Sequence, residues 1–141
     1  MPIPPLDARD VWDFEAGAWI PFVPPTTEAD VIAERERRLS LGFHYDFGDA
    51  RGVHLIGTTN ADMEGWDEVA KGAQAAINLG ASNSSFTIVT GTGQATVTAM
   101  EFQSILAAAT AFRQPIWASS FAIQAMDPIP PDYAINDTYW L

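Results

Sequence analysis

At 141 residues the chain has room for one hydrophobic core and not two, and its 48% apolar content fits a folded domain. Eighteen acidic residues against seven basic ones, with Lys71 the single lysine, give a net charge of −11, which argues against nucleic acid and anionic membranes as partners. Cysteine is absent, so disulfides and thiolate metal sites are excluded; no run of about 18 apolar residues marks a membrane span, and Met1-Pro2-Ile3-Pro4-Pro5 lacks the basic and apolar parts of an export signal, so the expectation is an unexported chain.

Residues 1–10 are proline-rich and polar and read as an extended arm. Val11-Trp12-Asp13-Phe14, Glu15-Ala16-Gly17 and Ala18-Trp19-Ile20 read as a small hairpin with two tryptophans, Gly17 taking a turn position that favours positive φ. Two strands alone are marginal in water, so the hairpin should dock on something. Pro21, Pro24 and Pro25 stiffen the connector, and residues 1–25 form an N-terminal arm.

Thr26 to Leu41 is a helix. Thr27 with Asp30 three positions on resembles a capping box, Pro25 lies just upstream, and Gly42 is placed to end it. Val31, Ile32, Leu39 and the stem of Arg35 form a thin apolar stripe, with Glu34, Glu36, Arg37 and Arg38 solvated. Arg35, Arg37 and Arg38 read as a solvent face; an anion patch is the alternative.

Gly42 to Thr58 reads as a β-hairpin at the centre of the chain. Phe43, Tyr45 and Phe47 alternate with His44 and Asp46, Gly48-Asp49-Ala50 makes the turn, and Val53 and Leu55 alternate with His54 and Ile56. Phe43, Tyr45, Val53 and Leu55 are expected to face the helices. Pairing Phe43 with Leu55 and Tyr45 with Val53 sets His44 opposite His54, with Asp46 two residues along. Such a trio can take a divalent metal if its side chains converge. Paired polar residues on the solvent side of a hairpin are the plainer reading, and no metal or other cofactor is expected.

Thr59 or Asn60 caps a second helix running to about Leu79, with Asp62 and Glu64 in its first turn and Gly80 as its stop. Met63, Trp66, Val69, Ala70, Ala73 and Ile77 give it one apolar face, and Gly65 and Gly72 allow close packing. The carboxylates Asp62, Glu64, Asp67 and Glu68 lack the spacing of a calcium loop and are explained by the helix start.

After a polar loop, Phe86–Thr90 and Gln94–Thr98 form another hairpin around Gly91-Thr92-Gly93, which is not a phosphate loop because no Gly-Lys-Ser/Thr follows. Thr98-Ala99-Met100-Glu101 is a capping box that opens a third helix through Ile105, Leu106, Ala109 and Phe112; Pro115 should kink or break it near Arg113, with a continuation over Ile116 to Met126. The serines lack a nucleophile-elbow context. Residues 26–126 thus make one domain. Residues 127–141 form a C-terminal arm with three prolines and then Tyr133, Ile135, Tyr139, Trp140 and Leu141. Aromatics closing a chain need a surface to cover them, a partner's or the chain's own.

The fold class expected is α+β, small antiparallel hairpins packed with about three helices and flanked by extended proline-rich arms. The run from Arg37-Arg38 through Gly42-Phe43 and the hairpin to Val53-His54-Leu55, the Trp66 helix, the Phe86 hairpin and Val97-Thr98-Ala99-Met100-Glu101 resemble a domain of unknown function. That domain recurs in bacteriophage tail-fibre and tail-fibre-assembly proteins, behind a short tryptophan-containing segment to which Val11-Trp12 through Gly17-Ala18-Trp19 is similar. The resemblance covers residues 11–126 and carries no established catalytic residues; the proline-aromatic tail departs from it. It implies a non-enzymatic tail component located in the virion and made in the host cytoplasm, with other tail subunits, a tail-fibre protein among them, as partners in a homo- or hetero-oligomer. A transient assembly chaperone is the alternative. The residues expected to bind partners are Trp12, Trp19, Tyr133, Ile135, Tyr139, Trp140 and Leu141.

Overall fold

Each of the three helices begins at a threonine that closes a capping box, and a computed structural model describes residues 3–141 of the chain. Helix α1 is Glu28–Leu39, with Thr27 and Asp30 capping each other's backbone; α2 is Asn60–Asn78, with Thr59 and Asp62 in the same roles; α3 is Ala99–Gln124, with Thr98 and Glu101. In each, the threonine hydroxyl takes one orphan N–H and the acid takes another, so every start is satisfied within four residues of chain.

The strands pair in sequence. β1 (Val11–Asp13) pairs with β2 (Ala18–Ile20), β3 (Phe43–Asp46) with β4 (Val53–Ile56), and β5 (Ser85–Thr90) with β6 (Gly93–Thr98), each as a separate antiparallel two-stranded sheet. Three helices and three small antiparallel sheets make the fold α+β. The second and third hairpins touch where the Gly91 amide donates to the Leu55 carbonyl at 2.8 Å and the Leu55 amide donates to Thr92 Oγ1 at 3.1 Å. A Cβ at Gly91 would meet Leu55 Cδ2 at 3.1 Å, so a side chain there would have to displace Leu55 by a few tenths of an ångström, and glycine lets the turn come this close without that shift.

Two packing clusters share α3. Its first half, through Phe102 and Ile105, joins Ile56, Ala73, Ile88, Ala95 and Val97, with Trp66, Phe43 and Tyr45 at the margin. Its second half, through Ile116 and Ile123, joins Val31 and Leu39 of α1 and Trp140 of the tail. The two clusters explain why the helix, expected to kink or break near Arg113 and continue over Ile116 to Met126, is not interrupted: α3 runs unbroken through an exposed Pro115. An interior proline costs ~3 kcal/mol or more. Burying Ile116 and Ile123 on its far side is worth roughly 1.5–3 kcal/mol each, with Trp117 adding to it, so packing outweighs the lost backbone bond.

The tail also differs from the extended arm expected of residues 127–141. It turns at residues 131–135 and ends in a 3-10 helix, Asp137–Trp140, with Trp140 only 5% exposed against α1 and α3. The central hairpin is shifted by one residue: Phe43 faces Ile56, Tyr45 faces His54 and Asp46 faces Val53. The faces toward the core are therefore Phe43, Tyr45, His54 and Ile56, while Val53 is exposed and Leu55 lies on the outer face.

At the other side of this hairpin, Gly42 holds φ at +74°, and any Cβ there would meet the Ile56 carbonyl oxygen at 2.5 Å. Its amide donates to Thr58 Oγ1 at 2.9 Å, and that buried hydroxyl donates to the Leu39 carbonyl at 2.6 Å. One threonine thereby ties the end of α1 to both ends of the hairpin.

Candidate interaction surface

The one-residue shift decides the histidine question. His44 and Asp46 lie on the solvent face of β3, while His54, opposite Tyr45, lies on the core face and is buried. His54 Nδ1 is 2.8 Å from Thr90 Oγ1, and its ring meets Phe47 edge to face at 5.5 Å. The three candidate ligands His44, Asp46 and His54 do not converge, and among the described residues no cluster of three metal-binding side chains exists. His54 can turn inward because Thr90, also buried, supplies the hydrogen-bond partner that a core imidazole requires.

Arg51, unremarked in the sequence, clamps the turn to the start of α3. Its guanidinium reaches Asp49 at 2.6 Å and Glu101 at 2.7 Å, donates to the Thr96 carbonyl at 2.9 Å, and stacks over Phe47 at 4.4 Å. Hydrogen bonding to Arg51 is the main reason that both carboxyls fall to about 2, Asp49 and Glu101 alike. The only local sign is an arginine inside an otherwise acidic turn; its second partner is 50 residues away.

The arginines of α1 are structural as well. Glu34, expected in solvent, is 9% exposed and accepts from Arg37 at 2.7 Å and Arg38 at 2.7 Å. The Arg37 hydrogen bond, joined by Arg38, holds the Glu34 carboxyl below its ordinary range against the opposing pull of burial. Arg38 then reaches the tail, donating to the Ala134 carbonyl at 3.0 Å and to Asp137 at 2.9 Å, and stacks on Trp140 at 4.7 Å. Arg35 stacks on Trp117 at 4.1 Å. Arg37 keeps the solvent exposure expected of it, at 55%, whereas Arg35 and Arg38 are largely covered and their guanidiniums are taken up by contacts with α3 and the tail.

These contacts sort the C-terminal candidates. Trp140 donates its indole N–H to the Tyr133 carbonyl at 2.7 Å and is buried; Tyr133 donates its hydroxyl to the Asp30 carbonyl at 3.3 Å, and burial pushes that phenol's pKa up. Tyr139 packs on the same cluster. Ile135 at 86% exposed and Leu141 at 92% are the two that face solvent.

The N-terminal candidates sit differently. Trp12 and Trp19 are cross-strand partners whose rings meet edge to face at 5.3 Å, and Trp19 Nε1 donates to the Ile3 carbonyl. Phe22 is held beside this unit by its backbone N–H, which donates to Asp10 Oδ1 at 2.8 Å, and by Arg9 stacked on its ring at 4.3 Å. Among the described residues, neither packing cluster contains anything before Val31. The tryptophans shield one another, so the side of the hairpin left bare is Val11 and Ile20, with Phe14 at the turn; these three are exposed, as are Ile3, Leu6 and Val23 elsewhere in the segment. Strand alternation held this signal, since Val11 and Ile20 share the face opposite the tryptophans.

A further depression of about 260 Å³ lies between α2 and β5, lined by Ala61, Asp62, Gly65, Trp66, Val69, Thr87, Ile88 and Val89. Its one carboxylate, Asp62, is taken up by the Thr59 cap. No family model matches the chain, and comparison with curated proteins and with solved structures returns no match.

Proposed function

We propose that the chain is a non-enzymatic structural component of a phage or phage-like tail, made in the host cytoplasm and attached to neighbouring tail subunits through its N-terminal segment. The observation that carries this reading is the unit formed by residues 3–25: it has local order of its own, exposes Val11, Phe14, Ile20 and Val23, and shares no packing cluster with the domain. An apolar hairpin of this size is marginal alone and gains most from a second surface. The resemblance of residues 11–126 to a domain of tail-fibre and tail-fibre-assembly proteins supplies the kind of surface, a tail or tail-fibre subunit.

Mass spectrometry of purified particles tests the proposal. A fixed copy number is expected for the intact chain, and a chain lacking residues 1–25 should fold but fail to be incorporated. Absence of the intact chain from mature particles would overturn a structural role and favour a transient assembly chaperone.

A further inference from the structure

The outward face of α3 is unlike the rest of the surface. Met100, Ser104, Ala107, Ala111, Gln114, Ala118, Phe121 and Ala125 are all exposed, and their spacing alternates four and three residues from the first turn of the helix to its C-cap. That is the seam of a coiled-coil helix, the repeat that keeps one stripe facing another helix, and here it faces solvent. Met100 is 51% exposed and Phe121 59% exposed at its two ends, with small residues or glutamine between. From Phe102 to Met126 the helix has one charged residue, Arg113, and its guanidinium is directed to the Leu39 carbonyl of α1 at 3.5 Å, off the seam.

We propose that this face is the interface with a second copy of the same chain, the two α3 helices packing antiparallel about a two-fold axis at Ala111. Two features select that occupant. The seam is self-complementary in this arrangement: about Ala111, Ala118 of one copy falls opposite Ser104 of the other, while Gln114 and Phe121 come within one residue of standing opposite Ala107 and Met100, so large residues meet at the ends and small ones let the backbones approach at the centre. Charge selects it too. A chain of net charge −11 repels its own copies over most of its surface, α2 for example presenting Asp62, Glu64, Asp67 and Glu68 against Lys71, while the α3 face lets two copies meet with no like charges opposed. This interface uses no residue of the N-terminal segment and does not depend on the tail proposal.

Sedimentation velocity on the full chain at roughly 100 µM, a concentration that populates micromolar dimers, tests it. A dimer is expected. Ala111→Glu brings two carboxylates together at the axis and should weaken the dimer by about 100-fold or more. Glutamate is a good helix former at an exposed site, so the circular dichroism spectrum should not change. Ala33→Glu, exposed on α1, should leave the dimer intact.

The absence of native cysteine permits a second test by oxidative cross-linking. Ala111→Cys should link to itself, Ser104→Cys alone should not, and Ser104→Cys mixed with Ala118→Cys should. A wild-type monomer, a dimer untouched by Ala111→Glu, or self-linking of Ser104→Cys would each overturn the proposal.

Discussion

Both ends of this chain are rich in proline and aromatic residues, yet one is knitted into the domain and the other is not. The last fifteen residues bury Trp140 between α1 and α3 and are held by Arg38 through both a carbonyl and Asp137. Residues 3–25 hold mostly to themselves, through the Trp12–Trp19 pair, the Trp19 bond to Ile3 and the Arg9–Phe22 stack. Composition does not separate these outcomes. What separates them is whether the domain offers a complementary face: α1 presents Arg38 to the tail, neutralised on one side by Glu34 and open on the other to the ring of Trp140 and to Asp137. A guanidinium is suited to both contacts at once, being planar, cationic and weakly hydrated.

The contrast is sharpest for tryptophan. Trp140→Ala should destabilise the domain by about 3–5 kcal/mol, the usual cost of emptying a buried aromatic site, measured as a lower midpoint in urea unfolding. Trp19→Ala should move that midpoint by less than roughly 0.5 kcal/mol, as expected of a residue outside the clusters. Equal effects from the two substitutions would erase the distinction between the ends.

The next largest effect should come from the connection between tail and helix. Arg38→Ala removes the donor to Ala134 and Asp137 and leaves Glu34 with Arg37 alone. Hydrogen bonds to charged groups are worth roughly 1.5–3 kcal/mol when one partner is buried, and a loss in that range is expected. Limited proteolysis should show the same change as new cleavage after Asp127. Arg9→Ala, which also breaks a stack and an ion pair but at an exposed site, should leave the domain's stability unchanged.

Local chemistry in the sequence located most of the elements, and distant chemistry decided the rest. The three helix starts are legible because a capping box is complete within four residues, as in Thr27–Asp30, Thr59–Asp62 and Thr98–Glu101. The register of the central hairpin is not, because Val53-His54-Leu55-Ile56 has apolar residues in both phases; Thr90, 36 residues on, makes it possible for His54 to point inward. Pro115 follows the same pattern: the helix continues past it as expected, but without a break. Its local rule is sound, but the packing that overrides it comes from α1 and the tail. The bare Val11–Ile20 face was legible in principle, since cross-strand pairing of the tryptophans requires it.

A smaller effect, dependent on pH, concerns the Arg51 clamp. Its hydrogen bonds depress Glu101 and Asp49 to about 2 in the folded chain, from ordinary values of 4.5 and 3.8. Groups depressed by folding stabilise the protein fully above their unfolded values and lose that contribution as pH falls toward the folded ones, so stability should decline between about pH 4.5 and 2. Both carboxylates are partly open to water, so the decline should be modest and should shrink further in salt. Arg51→Met should unfold more easily at neutral pH and show a flatter profile of melting temperature below pH 4.5. An unchanged profile would mean that other carboxylates govern the acid limb.

The smallest expected effect bears most directly on function. Removing residues 1–25 leaves Thr27 and Asp30 to cap α1 and leaves both packing clusters complete, because among the described residues nothing before Val31 belongs to either. The urea midpoint of the shortened chain should therefore match that of the full chain to within about 0.5 kcal/mol. A fall of several kcal/mol would mean that the hairpin stabilises its own domain, and the exposed Val11, Ile20 and Phe14 would then lose their standing as a surface kept for another molecule. An unchanged midpoint makes the hairpin dispensable for folding. Its exposed apolar side chains then contribute little to the isolated domain, and burial of that face against a second protein is the interaction that can recover their hydrophobic free energy.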